Sequence, residues 1–519
     1  MYNRIRTIVF FVVLAAGATV GFPSPYDREH GHCSTRSSPE LSIYESAGVL
    51  TTEEACSTRL FPFPPGHHPK STNGTIFTTL SENPEFSRLV KFVNVSDDIV
   101  SLLNDSSTNL TFFAVPNSAI PKRPPHRGHT HLSFLYQQSP ALGDIISAFE
   151  PFISDEGIYS GYADDDRVKK IITAVLSYHI IPQQLDLAAL TKNTTYPTRL
   201  SHVFGALNDE AIRIRVSAGL PFARVNFYSQ VIKPDIGTSN GFIHVVNRPL
   251  APPLAVFQSI FLLQQGFSTL SSAIQRTGLT SASDYKFVPD AIEGQTSAEG
   301  SPVVTLFAPT NKAFFSLPRN LQLFLFSPFG ERVLKKILQF HVVPDIALYT
   351  DWILNTTSDS FSDTFGEEIV QPYEELPALI WSSMSFGDQH PLREDSNSPF
   401  PKPDIIYNLT LPTALEGHAL NVLAVKFPIR LPGPKHPKEI GQIRQVFVNG
   451  QKVSAYDGVA LNGALHVIDK LVSPRHSRRR PHHDGIPNDE TASFSPALEE
   501  EDSDDWQNWE EWLLEWAEN

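Results

Sequence analysis

The chain has 519 residues with 41% hydrophobic, 19% charged and 11% aromatic content, which excludes wholesale disorder and leaves core volume for two to four domains at about 100–200 residues each. Net charge is −15, but residues 497–519 carry acidic side chains and no Lys or Arg, so the rest of the chain is only mildly acidic. Lacking a basic surplus, it does not read as a nucleic-acid binder. Two cysteines exclude a disulfide-framework fold and any multi-cysteine zinc module, and 42 prolines predict long, turn-rich connections.

At the N-terminus, Arg4 and Arg6 precede an apolar run from Ile8 to Ala16, and Ala16-Gly17-Ala18 offers small residues for cleavage. This layout predicts a signal peptide over 1–18; the apolar run is too short to anchor in a bilayer. A proline-rich segment, 19–71, follows. There an oxidising lumen would join Cys33 to Cys56, the alternative being two free thiols. Asn-x-Ser/Thr sequons at Asn73, Asn94, Asn104, Asn109, Asn193, Asn355 and Asn408 agree with passage through the secretory pathway. Later segments contain no continuous apolar run long enough for a transmembrane span, and the C-terminus lacks the apolar tail of a lipid-anchor signal.

Three boxes then recur in the same order. Thr111-Phe112-Phe113-Ala114-Val115-Pro116-Asn117 returns as Thr305-Leu306-Phe307-Ala308-Pro309-Thr310-Asn311. This reads as a short apolar strand, then a turn and a helix start that Asn117 and Asn311 are suited to cap. Leu176-Ser177-Tyr178-His179-Ile180-Ile181-Pro182 returns as Leu338-Gln339-Phe340-His341-Val342-Val343-Pro344. Val168, Ile171, Ile172 and Val175 before the first copy, and Val333, Leu334, Ile337 and Leu338 at the second, mark an amphipathic helix running into a strand. Asn240-Gly241-Phe242-Ile243-His244-Val245-Val246 returns as Asn462-Gly463-Ala464-Leu465-His466-Val467-Ile468, where Asn-Gly suits the positive φ angles of a hairpin turn. Asp235 and Asp457 stand five residues before the two Asn-Gly pairs. Helices mixed with hairpin signals indicate an α+β fold.

The three boxes together closely resemble the fasciclin domain, over about 72–252 and 256–473. Asn83-Pro84-Glu85-Phe86 looks like that domain's opening helix, with Phe86, Leu89, Val90 and Val93 as its buried face. The resemblance implies two domains, each a β-wedge packed with several helices. Val115-Pro116 departs from the family's Pro-Thr. Unequal spacing between boxes assigns insertions to 121–166 in the first repeat and 357–440 in the second, expected as surface loops. A basic linker and an acidic, tryptophan-rich tail occupy 474–519.

Candidate chemistry is sparse. The family's Tyr-His segment is linked to adhesion receptors, which makes His179 and His341 binding candidates; the competing role is an internal histidine donating to a backbone carbonyl. His244 and His466, flanked by alternating apolar positions, read as core. His126, His129 and His131 form a histidine-rich loop whose arginines oppose metal binding. The common nucleophile-elbow, zinc-helix, phosphate-loop and dinucleotide signatures are missing, so neither a catalytic residue nor a cofactor is assigned. Trp506, Trp509, Trp512, Leu513 and Trp516 can line one side of a C-terminal helix suited to dock on a partner groove or on the protein's own domain, the alternative being a disordered, solubilising tail. The expectation is a non-enzymatic secretory-pathway glycoprotein contacting protein or glycan partners, resident in the vacuole lumen or outside the cell. The competing class is a hydrolase or metal-dependent enzyme, which a deep polar pocket holding several titratable side chains would favour.

Overall fold

The computed structural model describes residues 70–71, 73–120, 166–219, 222–289, 296–351, 370–372, 405–431, 438–474 and 506–518. The signal segment, Cys33, Cys56, the histidine-rich loop and Asn355 lie outside them.

The first repeat opens with β1 (Lys70–Ser71), α1 (Ile76–Glu82), α2 (Ser87–Val93) and α3 (Asp97–Asn104). It continues through β2 (Leu110–Ala114), α4 (Asp166–Tyr178), β3 (Ile180–Ile181), α5 (Leu187–Leu190), β4 (Thr195–Pro197), β5 (Arg213–Ala218), β6 (Ala223–Val225), β7 (Ser229–Thr238) and β8 (Gly241–Val246). The strands form one sheet in the order β3-β2-β8-β7-β6-β5-β4, with β1 added parallel to β7. The second repeat has α6 (Val256–Leu262), α7 (Gln264–Arg276), α8 (Thr280–Ser283), the hairpin β9 (Tyr285–Pro289) and β10 (Thr296–Gly300), then β11 (Val304–Pro309). After it come α9 (Asn311–Phe315), α10 (Arg319–Leu325), α11 (Glu331–Phe340), β12 (Val342–Pro344), β13 (Val370–Pro372), β14 (Ile405–Pro412), β15 (Ala419–Leu431), β16 (Lys438–Val448), β17 (Gln451–Ala460) and β18 (Gly463–Ile468). Its sheet runs β12-β11-β18-β17-β16-β15-β14-β13.

The central strand trio is the same in both. β2 lies parallel to β8 and antiparallel to β3, as β11 does to β18 and β12. Side chains alternate across these strands. Phe112 and Ala114 pack into the helical layer with Ile76, Leu80, Leu89 and Ile172, while Phe113 faces Tyr178, Ile214 and Val231 on the opposite side. In the second repeat Leu306 and Ala308 meet the helices, and Phe307 points toward Leu409, Val422 and Val446. Each unit is therefore an α+β wedge with helices on one face and its own outer strands curled over the other.

Three local expectations need correction. The 357–440 stretch, read as surface loop, contains β14 and β15, whose Leu409, Leu411, Leu420, Val422 and Ala424 are buried; alternating apolar residues hold it in the sheet. The hairpin turns are Ser239-Asn240 and Leu461-Asn462, not Asn-Gly: Thr238 pairs with Gly241, and Ala460 with Gly463. Gly241 and Gly463, at φ 149° and 146°, open the last strands instead, where a Cβ would fall 1.8 Å from the Leu110 carbonyl and 1.7 Å from that of Val304. Nor do Asn117 and Asn311 cap the helix that follows them. Thr310 caps α9, accepting from Ala313 N–H, and the asparagines reach across to the opening helices.

Candidate functional site

The repeated polar residues converge on backbone groups, and most do so in the same way in the two copies. Thr111 Oγ1 donates to the Gln183 carbonyl at 2.7 Å and accepts from Leu185 N at 2.9 Å; Thr305 does the same with Ile346 and Leu348, at 2.7 and 2.8 Å. Asn240 accepts from Ile76 N and donates to the Leu103 and Asp105 carbonyls, while Asn462 accepts from Val256 N and donates to Ser301. Asn117 accepts from Arg88 N at the first turn of α2 and donates to Pro84. Asn311 accepts from Thr269 N in α7 and donates to Gln265. The Ile76, Arg88 and Val256 amides lie in the first turns of their helices and would otherwise lack partners.

The histidines follow the same rule. His179 Nδ1 donates to the Val175 carbonyl and His341 Nδ1 to that of Ile337, both at 2.8 Å. Their Nε2 atoms accept from Leu250 N and Val472 N, both at 3.0 Å. Each ring thus ties the end of its helix to the segment that leaves the last strand. Burial holds both well below the ordinary imidazole value of 6.5, at about 4, so they are neutral in the fold. The rings proposed as binding residues have no nitrogen left for an outside ligand. His244 and His466 are fully buried, donating from Nε2 to Leu185 and Leu348 and accepting at Nδ1 from Asp235 N and Asp457 N. Burial lowers their pKa values too.

Asp235 and Asp457 are a pair that diverges. Both have φ near +59° and both accept a backbone N–H, from Leu187 at 2.7 Å and Thr350 at 2.8 Å. Asp457 is also drawn into a junction between the repeats. Its Oδ2 accepts from the Thr350 hydroxyl and, at 2.5 Å, from Thr194 of the first repeat. Beside it Asp351 accepts from Thr195 Oγ1 at 2.6 Å and from Arg213 Nη2 at 2.7 Å, and Arg213 stacks over Tyr349. Arg215 Nε donates to the Tyr456 carbonyl and Arg444 to that of Lys192. Burial raises the Asp351 carboxyl while Arg213 opposes that shift. Asp351, Asp457, Thr350 and Thr195 are all buried. This cluster gathers titratable groups, but they are closed over and bonded to one another, which suits a joint between domains rather than a substrate pocket. The boxes gave no signal for it, since Thr194, Arg213 and Asp351 have no repeated counterpart.

Among the described residues no group of three or more His, Cys, Asp or Glu is placed to hold a metal, and no helix is long and apolar enough to cross a membrane. Asn73, Asn94, Asn104 and Asn109 are exposed, and Asn193 is half-buried beside the junction. Asn408 is only 8% exposed within β14, so the folded sheet has no room for a glycan there.

The tail forms α12 (Trp509–Glu518) and docks on its own chain. Trp506, Trp509, Leu513 and Ala517 are buried among Leu321, Leu325, Leu334 and Ile337. Around this helical face, Phe315, Leu323 and Phe329 remain 67%, 68% and 87% exposed, and Lys312, Arg319, Arg332 and Lys335 are exposed with them.

The sequence profile of the fasciclin domain family matches residues 162–252 and 265–369. The fasciclin domain model is thus found twice in the chain, once in each repeat. It is 29% identical over 233 residues to Stabilin-2 of Rattus norvegicus, covering 44% of this chain and 15% of that protein. It is 22% identical to the fasciclin-like arabinogalactan protein of Arthroderma benhamiae, covering 55% of this chain and 56% of that one. Thus the chain spans at most about half the length of these relatives. Superposed on the solved fasciclin domain pair from the insect cell adhesion molecule Fasciclin I, it gives 14% identity and a TM-score of 0.26, covering 74% of this chain and 97% of the other. Proteins with fasciclin domains are generally adhesion-related and non-enzymatic.

Proposed function

We propose that this chain is a secretory-pathway glycoprotein that works by binding, as an adhesion module for protein or glycan partners in the vacuole lumen or at the cell exterior. The observation that carries this reading is the fate of the shared polar residues. Thr111, His179, Asn240, His244 and their counterparts Thr305, His341, Asn462 and His466 are all occupied with backbone groups inside the fold. Side chains fully engaged in holding the frame do not perform acid–base or nucleophilic steps, so recognition falls to the exterior. The exposed Phe315, Leu323 and Phe329 supply apolar contact area of the kind that marks interaction surfaces.

The test is binding of the purified glycoprotein to an immobilised glycan and wall-polymer panel and to intact cells, compared with a Phe315→Asp, Leu323→Asp, Phe329→Asp variant. Saturable adhesion reduced at least tenfold in the variant supports the reading. Adhesion unaffected by the triple substitution would remove this face from it, and turnover of ester or glycosidic substrates would favour the enzyme class instead.

A further inference from the structure

We infer that the helical face of the second domain is a receptor for an acidic, tryptophan-bearing amphipathic helix, filled in cis by α12 and open, once vacated, to the same helix from a second copy of this chain. The contact has the form of helix-in-groove recognition. Residues 506, 509, 513 and 517 recur at helical spacing and are all buried. Trp509 stacks on Phe324 with ring centroids 5.1 Å apart. Lys336 lies 5.9 Å over the Trp516 ring, whose N–H donates to His418 Nε2 at 3.1 Å. Asn320 donates to Glu510 at 2.9 Å. Glu510, Glu511, Glu515 and Glu518 are exposed on the helix, and the receiving face carries Arg319, Arg332 and Lys335. The helix is acidic, and the two helices that receive it carry exposed basic side chains.

Two features make the helix a ligand rather than a fixed part of the core. The Trp509 indole N–H is buried with no acceptor among the described residues, so this anchor leaves a hydrogen-bonding group unanswered in the groove. The path of the chain is also neutral between donors. Trp506 Nε1 donates to the Leu471 carbonyl at 3.3 Å, so the polypeptide leaves the domain at 474 and its tail begins again beside the point of departure. Residues 475–505 can extend to about 100 Å, against about 40 Å across a domain of this size. A neighbouring copy's groove is therefore within reach, and exchange of an identical element is a ready route to association.

The experiment uses the full chain with Leu513→Asp, which places a carboxylate in the apolar seam, and a fluorophore-labelled synthetic peptide of residues 503–519 as the stand-in for a second copy's tail. Fluorescence anisotropy is expected to give saturable one-to-one binding to the Leu513→Asp chain. Binding to the wild-type chain should be at least tenfold weaker, because the tethered tail competes at high effective concentration. Adding Phe324→Ala to the Leu513→Asp chain should weaken binding about tenfold. Where far-UV circular dichroism shows that Leu513→Asp has lost its fold, the milder Trp509→Ala chain takes its place. Absence of binding to a folded, tail-weakened chain overturns the inference, as does equal binding to wild type and variant.

Discussion

The neutral, buried histidines make stability depend on pH with a definite sign. His179 and His341 titrate near 6.5 when the chain is unfolded and at about 4 in the fold. Above 6.5 both states are neutral and the fold is fully stable with respect to these groups. As pH falls through 6.5 toward about 4, the unfolded chain takes up protons that the folded one refuses, and stability is lost. A depression of this size amounts to about 3 kcal/mol for each ring at full effect, of which about 2 kcal/mol has gone by pH 5. His244 and His466 are lowered too and push in the same direction. Urea unfolding followed by tryptophan fluorescence and circular dichroism at pH 7.5 and 5.0 measures the loss. His341→Gln is the decisive variant: it weakens the second domain at pH 7.5 by removing the brace between Ile337 and Val472, yet reduces that domain's loss on acidification by about 2 kcal/mol. Stability unchanged between the two pH values, or a pH dependence untouched by His341→Gln, would refute the reasoning.

At the domain junction, Arg213→Ala leaves the Asp351 carboxylate buried without its cation and should destabilise by about 3–5 kcal/mol; pairing it with Asp351→Asn should recover part of that loss in a double-mutant cycle read by urea unfolding. Gly463→Ala, which drives a Cβ into the Val304 carbonyl, is expected to abolish folded second domain in near-UV circular dichroism, whereas Gly266→Ala, with open space around it, should be tolerated. Glycopeptide mass spectrometry on the protein expressed with its N-terminal segment in a eukaryotic host should find glycans at the exposed Asn94, Asn104 and Asn109 and none at Asn408, which the sheet buries.

The boxes were readable in the sequence because each polar residue in them answers a geometric demand of the backbone. Asn240 and Asn462 must satisfy the start of an opening helix, and Gly241 and Gly463 must let a neighbouring strand approach. Any copy of the fold needs the same residues at the same places, so the repeat exposes them. The turn type and the asparagine caps were misread for a related reason: Asn117, Asn240 and Asn311 bond across space to segments distant in sequence, and local propensity sees only neighbours. The junction left no trace, since Asp351 meets Thr195 and Arg213 only when one domain packs on the other. For the tail, helical periodicity revealed the apolar stripe, while its acceptor of Leu321, Leu334 and Ile337 came from the fold.

In each domain an early strand waits for the final one: Leu110 of β2 pairs with Gly241 of β8, and Val304 of β11 with Gly463 of β18. On a ribosome, the central strand of each unit therefore emerges well over a hundred residues before its parallel neighbour, at a delay of several seconds at ordinary elongation speeds. Such long-range closure is slow, and two copies of one strand pattern in a single polypeptide invite β2 to accept β18 in place of β8. Over the five paired positions that start at Leu110 and Val304, the two early strands differ only at Leu110/Val304 and Phe112/Leu306, so the strands themselves offer little to tell the right late partner from the wrong one.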